Sequence, residues 1–293
     1  MLAEAPAFDL PAFVAARPPR AAGFIVTLYG DAIRPRGGEA GMAAIIEICA
    51  QVGISETLVR TAVSRLVAAG QLAGRRVGRR SFYRLTPAAA AEFAAAAQVI
   101  YAPPAPCGWR LVAGPEAVVE GLAGHARLRA GLALGPDRGP LPADCAVVAG
   151  PAAGDSAALA GLAAQLWDLD APADAYAAVM DRFGPIVDRV AGVAPEAALA
   201  LRLLLVDDWR RAVLADPRLP PEAWPPGWPG PAARVVFLRL YKGLTPAAEA
   251  AIGTVFAGLP PRTVASTALL AALDASQENM NLRLIRDMSE GIR

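Results

Sequence analysis

A mainly helical α+β protein is the fold class that this sequence predicts, and three observations lead there. Apolar residues recur at helical spacing in residues 42–50, after Ser55, in an alanine-rich stretch ending near Tyr101, and again from Asp155 onward. Two short runs, "QLAGRR" and "RSFYRLT", alternate in the manner of strands around a bend at Gly78. Glycine and proline punctuate these segments at "RPRGG", "QVGI", Gly70 and "APPAP".

Taken in order, residues 1–20 read as an irregular tail carrying Pro11, Pro18 and Pro19. Phe24, Ile25, Val26 and Leu28 make residues 22–29 a short buried helix, which "RPRGG" ends. A second helix over 42–50 has Met42, Ile45, Ile46 and Cys49 on one stripe. Ser55 stands where an N-cap belongs, its hydroxyl accepting from a free N–H of the first turn. The helix it starts places Leu58, Ala62, Val63 and Leu66 inward and Glu56, Thr57, Arg60, Thr61, Ser64 and Arg65 outward. Gly70 ends it. In the second strand of the hairpin, alternation sets Tyr83 and Leu85 on one side and Phe82 and Arg84 on the other. Thr86-Pro87 opens the long alanine-rich helix, with proline in its favoured first turn. "APPAP" (102–106) is a stiff linker. Beyond it "GWRLVAG" and "CAVVAG" read as short strands around a helical stretch near 118–132. Seven prolines between Pro217 and Pro231 interrupt the later helices.

At 293 residues there is room for two or three domains. Alanine inflates the 55% apolar content, and Glu92, Glu196 and Arg202 break the longest apolar runs. None reaches the ~18 uncharged residues of a membrane span. The first residues carry acids and prolines in place of a basic, apolar leader. These features predict a soluble, cytoplasmic protein with no membrane partner. Cys49, Cys107 and Cys145 are too sparse for a disulfide framework or a metal site and read as buried thiols. His125 is the sole histidine, which leaves little for a Ser-His or Cys-His catalytic pair. The acidic pairs Asp168/Asp170 and Asp207/Asp208 read as helix-surface or arginine-paired acids, because no further ligand type stands at fixed spacing. The phosphate-loop signature is missing too. Neither a catalytic residue, nor a metal, nor a cofactor is therefore assigned.

Charge distribution is the informative feature. The chain has a net charge of +1, yet residues 60–84 hold seven arginines and no carboxylate. Helix, turn, capped helix and basic hairpin is the order of a winged helix-turn-helix, whose second helix enters a major groove. Base edges there are distinguishable, so Thr57, Arg60, Thr61, Ser64 and Arg65 are the candidates for reading sequence. Arg75, Arg76, Arg79 and Arg80 on the hairpin would grip the phosphate backbone, where local positive charge releases counterions. A double-stranded DNA operator is the expected partner.

The stretch from "FIVTLYGD" through "PRGGE", "LVRTAVSRL" and "GRRSFYRLT" resembles the N-terminal domain of the PaaX-type repressors of phenylacetic acid degradation. "LWDLDAPADAYAAVMDRF" and "LLLVDDWRRAVLADPRLPPEAWPPGWPG" are similar to that family's effector-domain segments. The resemblance spans roughly 24–101 and 166–230. It implies a homodimeric repressor of a catabolic operon, with a ferredoxin-like middle domain and a helical C-terminal domain. It also implies release from DNA by a small-molecule effector, an aryl-CoA thioester such as phenylacetyl-CoA.

The expected layout is a tail (1–20), a winged helix-turn-helix (21–101), a small α+β middle domain (102–155) and a helical effector and dimerisation domain (156–293). Asp207, Trp209, Arg210 and Arg211 are the candidates for effector contact: arginines for phosphate, indole for stacking. Interhelical ion pairing and packing explain the same residues equally well. This chain departs from the family's usual pattern at 207–210, and its 107–150 segment matches loosely, keeping Trp109. Trp224 and Trp228 read as packing anchors. An acyl-CoA-handling enzyme with an accessory basic domain is the alternative, and the lone histidine and missing nucleophile elbow weigh against it.

Overall fold

The computed structural model describes residues 8–256, apart from 104, 153–154 and 191, together with Arg262. Its described chain is mainly helical with two small antiparallel sheets. The last part of the expected 156–293 domain, and Pro104 of the expected linker, lie outside the described residues. Contacts gather the described residues of 1–103, 179–210 and 234–293 into one unit and those of 104–178 and 211–233 into another. This division differs from the consecutive segments expected from the sequence.

In the first unit, α1 (Leu10–Ala16) replaces part of the expected irregular tail. Asp9 caps it, accepting from the Ala12 N–H at 2.9 Å, and Pro11 sits in the first turn where its missing N–H costs nothing. Next comes α2 (Ala21–Leu28), which runs into a π-helical turn (Tyr29–Ile33) and a 3₁₀ turn (Arg34–Arg36). After β1 (Glu39–Gly41) follow α3 (Met42–Gln51) and α4 (Glu56–Ala68). Then β2 (Leu72–Val77) and β3 (Arg80–Leu85) form the predicted hairpin, and α5 (Pro87–Tyr101) closes the run. The strand order is β1-β3-β2, so β1 adds a third strand that the sequence did not announce.

The caps behave as their residue types require. The Ser55 hydroxyl accepts from the Leu58 N–H at 3.4 Å, and Thr86 accepts from Ala89 at 3.3 Å. Gly70 has φ +70° and Gly78 φ +58°, backbone that a side chain would strain, so glycine holds the helix end and the hairpin bend. In α3 the buried stripe is Met42, Ile45, Ile48 and Cys49, with Ile46 only half-buried. In α4 it is Val59, Ala62, Val63 and Leu66, at i, i+3, i+4 and i+7. Leu58, expected inside, is 55% exposed. Starting the stripe at Leu58 put its first member one residue off the face that the other three share.

Asp31 and Arg36 tie the start of this unit to later helices through buried charge. Arg202 is wholly buried on α9 (Pro195–Ala215), a helix that follows the elements of the second unit described below. Its guanidinium lies 2.8 Å from Asp31 Oδ2, an ion pair without well-directed hydrogen-bond geometry, and 2.9 Å from Glu249 Oε1. Asp31 Oδ1 also accepts from the hydroxyls of Tyr101 at 3.0 Å and Tyr241 at 2.7 Å. Burial by itself would raise the Asp31 carboxyl. Arg202, Arg262 and the two hydroxyls outweigh it and hold the carboxyl below its ordinary value. Arg36 pairs with Glu249 and donates to the Ala32 carbonyl at 2.7 Å.

The second unit contains β4 (Trp109–Ala113), α6 (Glu116–Glu120), β5 (Ala126–Arg129), β6 (Leu132–Pro136), β7 (Ala146–Gly150) and α7 (Ser156–Leu166). Its antiparallel sheet has the order β5-β6-β4-β7. The stretch expected to be helical near 118–132 is thus a five-residue helix followed by strand. Gly124 and Gly131 at positive φ turn the chain where an uninterrupted helix would need right-handed backbone. The core collects Trp109, Ala163, Leu169, Leu219 and Ala223, with Trp167, Trp224 and Trp228 packed against it. Trp224 and Trp228 are packing anchors, as read. His125 is structural: its Nε2 accepts from Arg110 Nε at 3.0 Å, and its Nδ1 lies 3.0 Å from the Ala123 carbonyl. Burial and then Arg110 lower its pKa, favouring the neutral ring that can accept. Cys107 and Cys145 are only half-buried, unlike Cys49. Helices α8 (Asp170–Phe183), α9 and α10 (Gly230–Val255), with 3₁₀ turns at Gly184–Ile186 and Pro221–Ala223, supply the remaining regular structure of the described residues. No described helix is long and apolar enough to cross a membrane.

Candidate nucleic-acid interface

Helix α4 lies on its buried stripe against α2 and α3, so the opposite face is left to water. Thr57, Arg60, Thr61, Ser64 and Arg65 are all exposed there. The Thr61 hydroxyl donates to the Thr57 carbonyl at 2.8 Å, which leaves its oxygen available as an acceptor. The exposed Leu58 offers an apolar contact on the same helix.

Arg75, Arg76, Arg79 and Arg80 are equally exposed on the hairpin. The β2–β3 register pairs Arg75 with Phe82, Arg76 with Ser81 and Val77 with Arg80. Residues paired directly across a ladder share a face and successive residues alternate. Arg75, Arg80 and Arg84 therefore share one face, and Arg76 belongs to the other. A flat surface cannot meet Arg75 and Arg76 together, so the four do not form one patch. Arg84, which the sequence reading left out, joins the Arg75 face.

A cleft of about 1120 Å³ brings the two elements together. Its walls include Glu56 and Arg60 from α4, Arg79 and Arg80 from the hairpin, Glu39 from β1 and Glu47 from α3. Val255, the last residue of α10, and Phe256 also line it. Arg60, Arg79 and Arg80 are thus gathered, while Arg65 and Arg76 are not on its walls.

Two of the arginines hold carboxylate partners. Arg60 Nε donates to Glu56 Oε1 at 2.8 Å, one helical turn away. Arg75 lies over the Phe82 ring, 5.1 Å from its centroid, and donates Nε to Glu39 Oε1 at 2.7 Å, its NH2 reaching Oε2. The Arg75 hydrogen bonds hold the Glu39 carboxyl below its ordinary value. The i, i+4 spacing made the first pair legible in the sequence. Only the placement of β1 beside β3 creates the second.

The effector candidates on α9 have interior partners. Asp207 Oδ1 accepts from Thr27 Oγ1 and from Arg210, both at 2.8 Å. Arg210 also donates to Thr27 Oγ1 at 2.7 Å and to the Gly23 carbonyl at 3.0 Å, fastening α9 to α2. The Trp209 indole, expected to stack on a ligand, is buried and stacks on Phe237 with centroids 4.8 Å apart. Its N–H donates to the Ile100 carbonyl at 2.9 Å. Arg211 is the exposed member of the set. Of the acidic pairs, Asp208 binds Arg182 at 2.8 Å and Asp168 accepts from the Asp170 N–H at 3.2 Å. Among the described residues no group of His, Cys, Asp or Glu is arranged to hold a metal.

The model of the PaaX-like protein family matches residues 20–89, and that of the PaaX-like protein C-terminal domain matches 167–253. The transcriptional repressor PaaX of Escherichia coli (strain K12) is 30% identical over 255 residues, covering 77% of this chain and 81% of the relative. A solved structure, the uncharacterized protein Rv0674 from Mycobacterium tuberculosis, is 23% identical over 71% of this chain and 89% of its own, with a TM-score of 0.42. Through the two family models and the Escherichia coli relative, the chain belongs to the PaaX-like family of transcriptional repressors, which are regulators and not enzymes.

Proposed function

We propose that this chain represses transcription by binding an operator through a winged helix-turn-helix, with α4 as recognition helix and β2–β3 as wing. The observation that carries the reading is the cleft in which Arg60 of α4 meets Arg79 and Arg80 of the hairpin. Recognition falls to Thr57, Arg60, Thr61, Ser64 and Arg65, the side chains α4 turns to water. Backbone contacts fall to Arg79 and Arg80 with Arg75, and Arg76 serves a strand of DNA that passes the other side of the wing. We further propose a homodimer on a pseudo-palindromic operator. The order β5-β6-β4-β7, with α6 between β4 and β5, supports a ferredoxin-like middle domain in which a loop replaces the second helix.

The effector, on this proposal, is an aryl-CoA thioester such as phenylacetyl-CoA. An inducer acts only if it prefers the DNA-incompetent arrangement. The 207–211 segment suits that role, because a ligand that engages Arg210 competes with the bonds fastening α9 to α2. The test is a mobility shift on the DNA upstream of its own gene, titrated with phenylacetyl-CoA and other aryl- and alkyl-CoA thioesters. A shift that one thioester releases supports the whole reading. A shift unaffected by every thioester makes the protein a constitutive binder, and no shift on upstream or selected DNA overturns the DNA reading. Arg211→Ala should blunt release while leaving operator binding intact; Arg210→Ala also cuts the tether to α2 and is the less specific probe.

A further inference from the structure

A surface built to grip phosphate has no evident use for carboxylates, yet Glu39, Glu47 and Glu56 line the same cleft as Arg60, Arg79 and Arg80. Two of the three are engaged with arginines. Glu56 holds Arg60 through both Nε and NH2, at 2.8 and 2.7 Å, with the two side chains 58% and 56% exposed. Glu39 holds Arg75 through both of its oxygens. Glu47, on α3, has no ion pair among the described residues. Exposed pairs of this kind contribute little to stability, so folding alone gives the cleft little reason to carry them.

Their effect on a bound duplex is larger. A phosphate approaching Arg75 or Arg60 must displace a carboxylate and then sit beside it, one negative charge against another. A base edge is neutral. A guanine presenting O6 and N7 can take the guanidinium N–H groups that Glu56 leaves unused without that repulsion. The carboxylate therefore disfavours nonspecific backbone contact more than it disfavours the base contact. This is specificity through the weakened competitor.

We infer that Glu56 is a specificity-determining residue, which restrains Arg60 from phosphate and so widens the gap between operator and bulk DNA. The inference rests on the proposed DNA-binding face and names a regulation of that site. It concerns discrimination, so its test measures two affinities and not one.

The experiment compares a duplex that the parent protein selects from a random-sequence pool with the unselected pool itself, across a salt series. Glu56→Gln should raise affinity for the unselected pool more than for the selected duplex, whereas Glu39→Gln, which frees the backbone-contacting Arg75, should raise both about equally. The salt slope on the pool should steepen by about one unit per substitution, as each released arginine gains a phosphate. The double variant should lose several-fold in the ratio of the two affinities. Glu47→Gln removes the same charge from the same cleft without releasing an arginine and should leave the ratio close to the parent's. Both paired glutamates are at least partly exposed, and Glu39→Asp and Glu56→Asp, which keep the charge but shorten the reach, should fall between parent and Gln variant. A ratio unchanged by Glu56→Gln, or an equal effect from Glu47→Gln, overturns the inference while leaving the DNA reading in place. A parent that selects no duplex from the pool overturns both.

Discussion

Arginine occurs in two settings here, and they use the same side chain in opposite ways. Arg202 and Arg36 are buried among Asp31, Glu249 and two tyrosine hydroxyls. Arg79 and Arg80 stand in water on a hairpin, and Arg60 and Arg75 share theirs with single exposed-side carboxylates. The buried set has exchanged hydration for protein partners. Burial and the nearby Arg262 and Arg202 push the Arg36 pKa down to about 10. The exposed set keeps most of its hydration. A buried ion pair adds little net stability over an apolar pair but enforces which surfaces meet. The interior arginines thus fix where residues 24–36 sit against α9 and α10, and the exposed ones carry the proposed DNA contacts.

The largest predicted effect is in the buried set. Arg202→Met should cost about 3–5 kcal/mol, because Asp31 remains buried without its guanidinium, while Glu249, partly exposed, keeps Arg36 and Arg262. Denaturant unfolding measures it, and a loss below about 1 kcal/mol would mean that water enters the cluster. The deficit should depend on pH. In the parent, Asp31 is held below its ordinary value of 3.8, so its contribution is present above that pH and lost as pH falls through the lower folded value. In the variant the same carboxyl is buried without Arg202, is pushed upward, and destabilises as it ionises. The gap between parent and variant should therefore widen from about pH 4 toward neutrality. A gap independent of pH would assign the loss to packing.

Arg60→Ala probes the exposed set. If Arg60 reads a guanine edge, about 1–3 kcal/mol of discrimination should disappear, with a larger loss on operator than on random duplex. Equal losses on both would reduce Arg60 to a phosphate contact. The smallest change in discrimination should come from Arg79→Ala with Arg80→Ala. Phosphate contacts carry no direct sequence information, so both duplexes should weaken together. The salt slope should shrink by about two units. A slope like the parent's would show that the wing does not touch the backbone.

These two settings also differ in how far they can be read from sequence. The exposed arginines announce themselves because caps, turns and helical spacing are local. Ser55, Gly70, Gly78 and Thr86-Pro87 bound α4, the hairpin and α5 within a residue or two of where the structure has them. The buried arginines do not. Arg36 is 213 residues from Glu249, and Tyr241 is 210 from the Asp31 it binds. In the sequence, Arg202 stands out only by interrupting an apolar run. The same limit explains the 207–211 segment: an indole beside two arginines resembles a ligand grip until Phe237 is seen to occupy its face.

What the sequence determined by itself is the set of elements closed by short-range chemistry: α2 to α4, the basic hairpin, α5, and the concentration of seven arginines in residues 60–84. It also carries the family resemblance that the comparisons support. Tertiary structure decided the rest. It turned Val59 inward and Leu58 outward, set β1 beside β3 so that Glu39 reaches Arg75, and separated Arg76 from Arg75 onto opposite faces. It replaced an expected helix with β5 and β6, and it chose which arginines are enclosed. The physical reason is the range of the interactions. A cap or a turn is satisfied within four residues, whereas burial and pairing depend on surfaces that only the folded chain brings together.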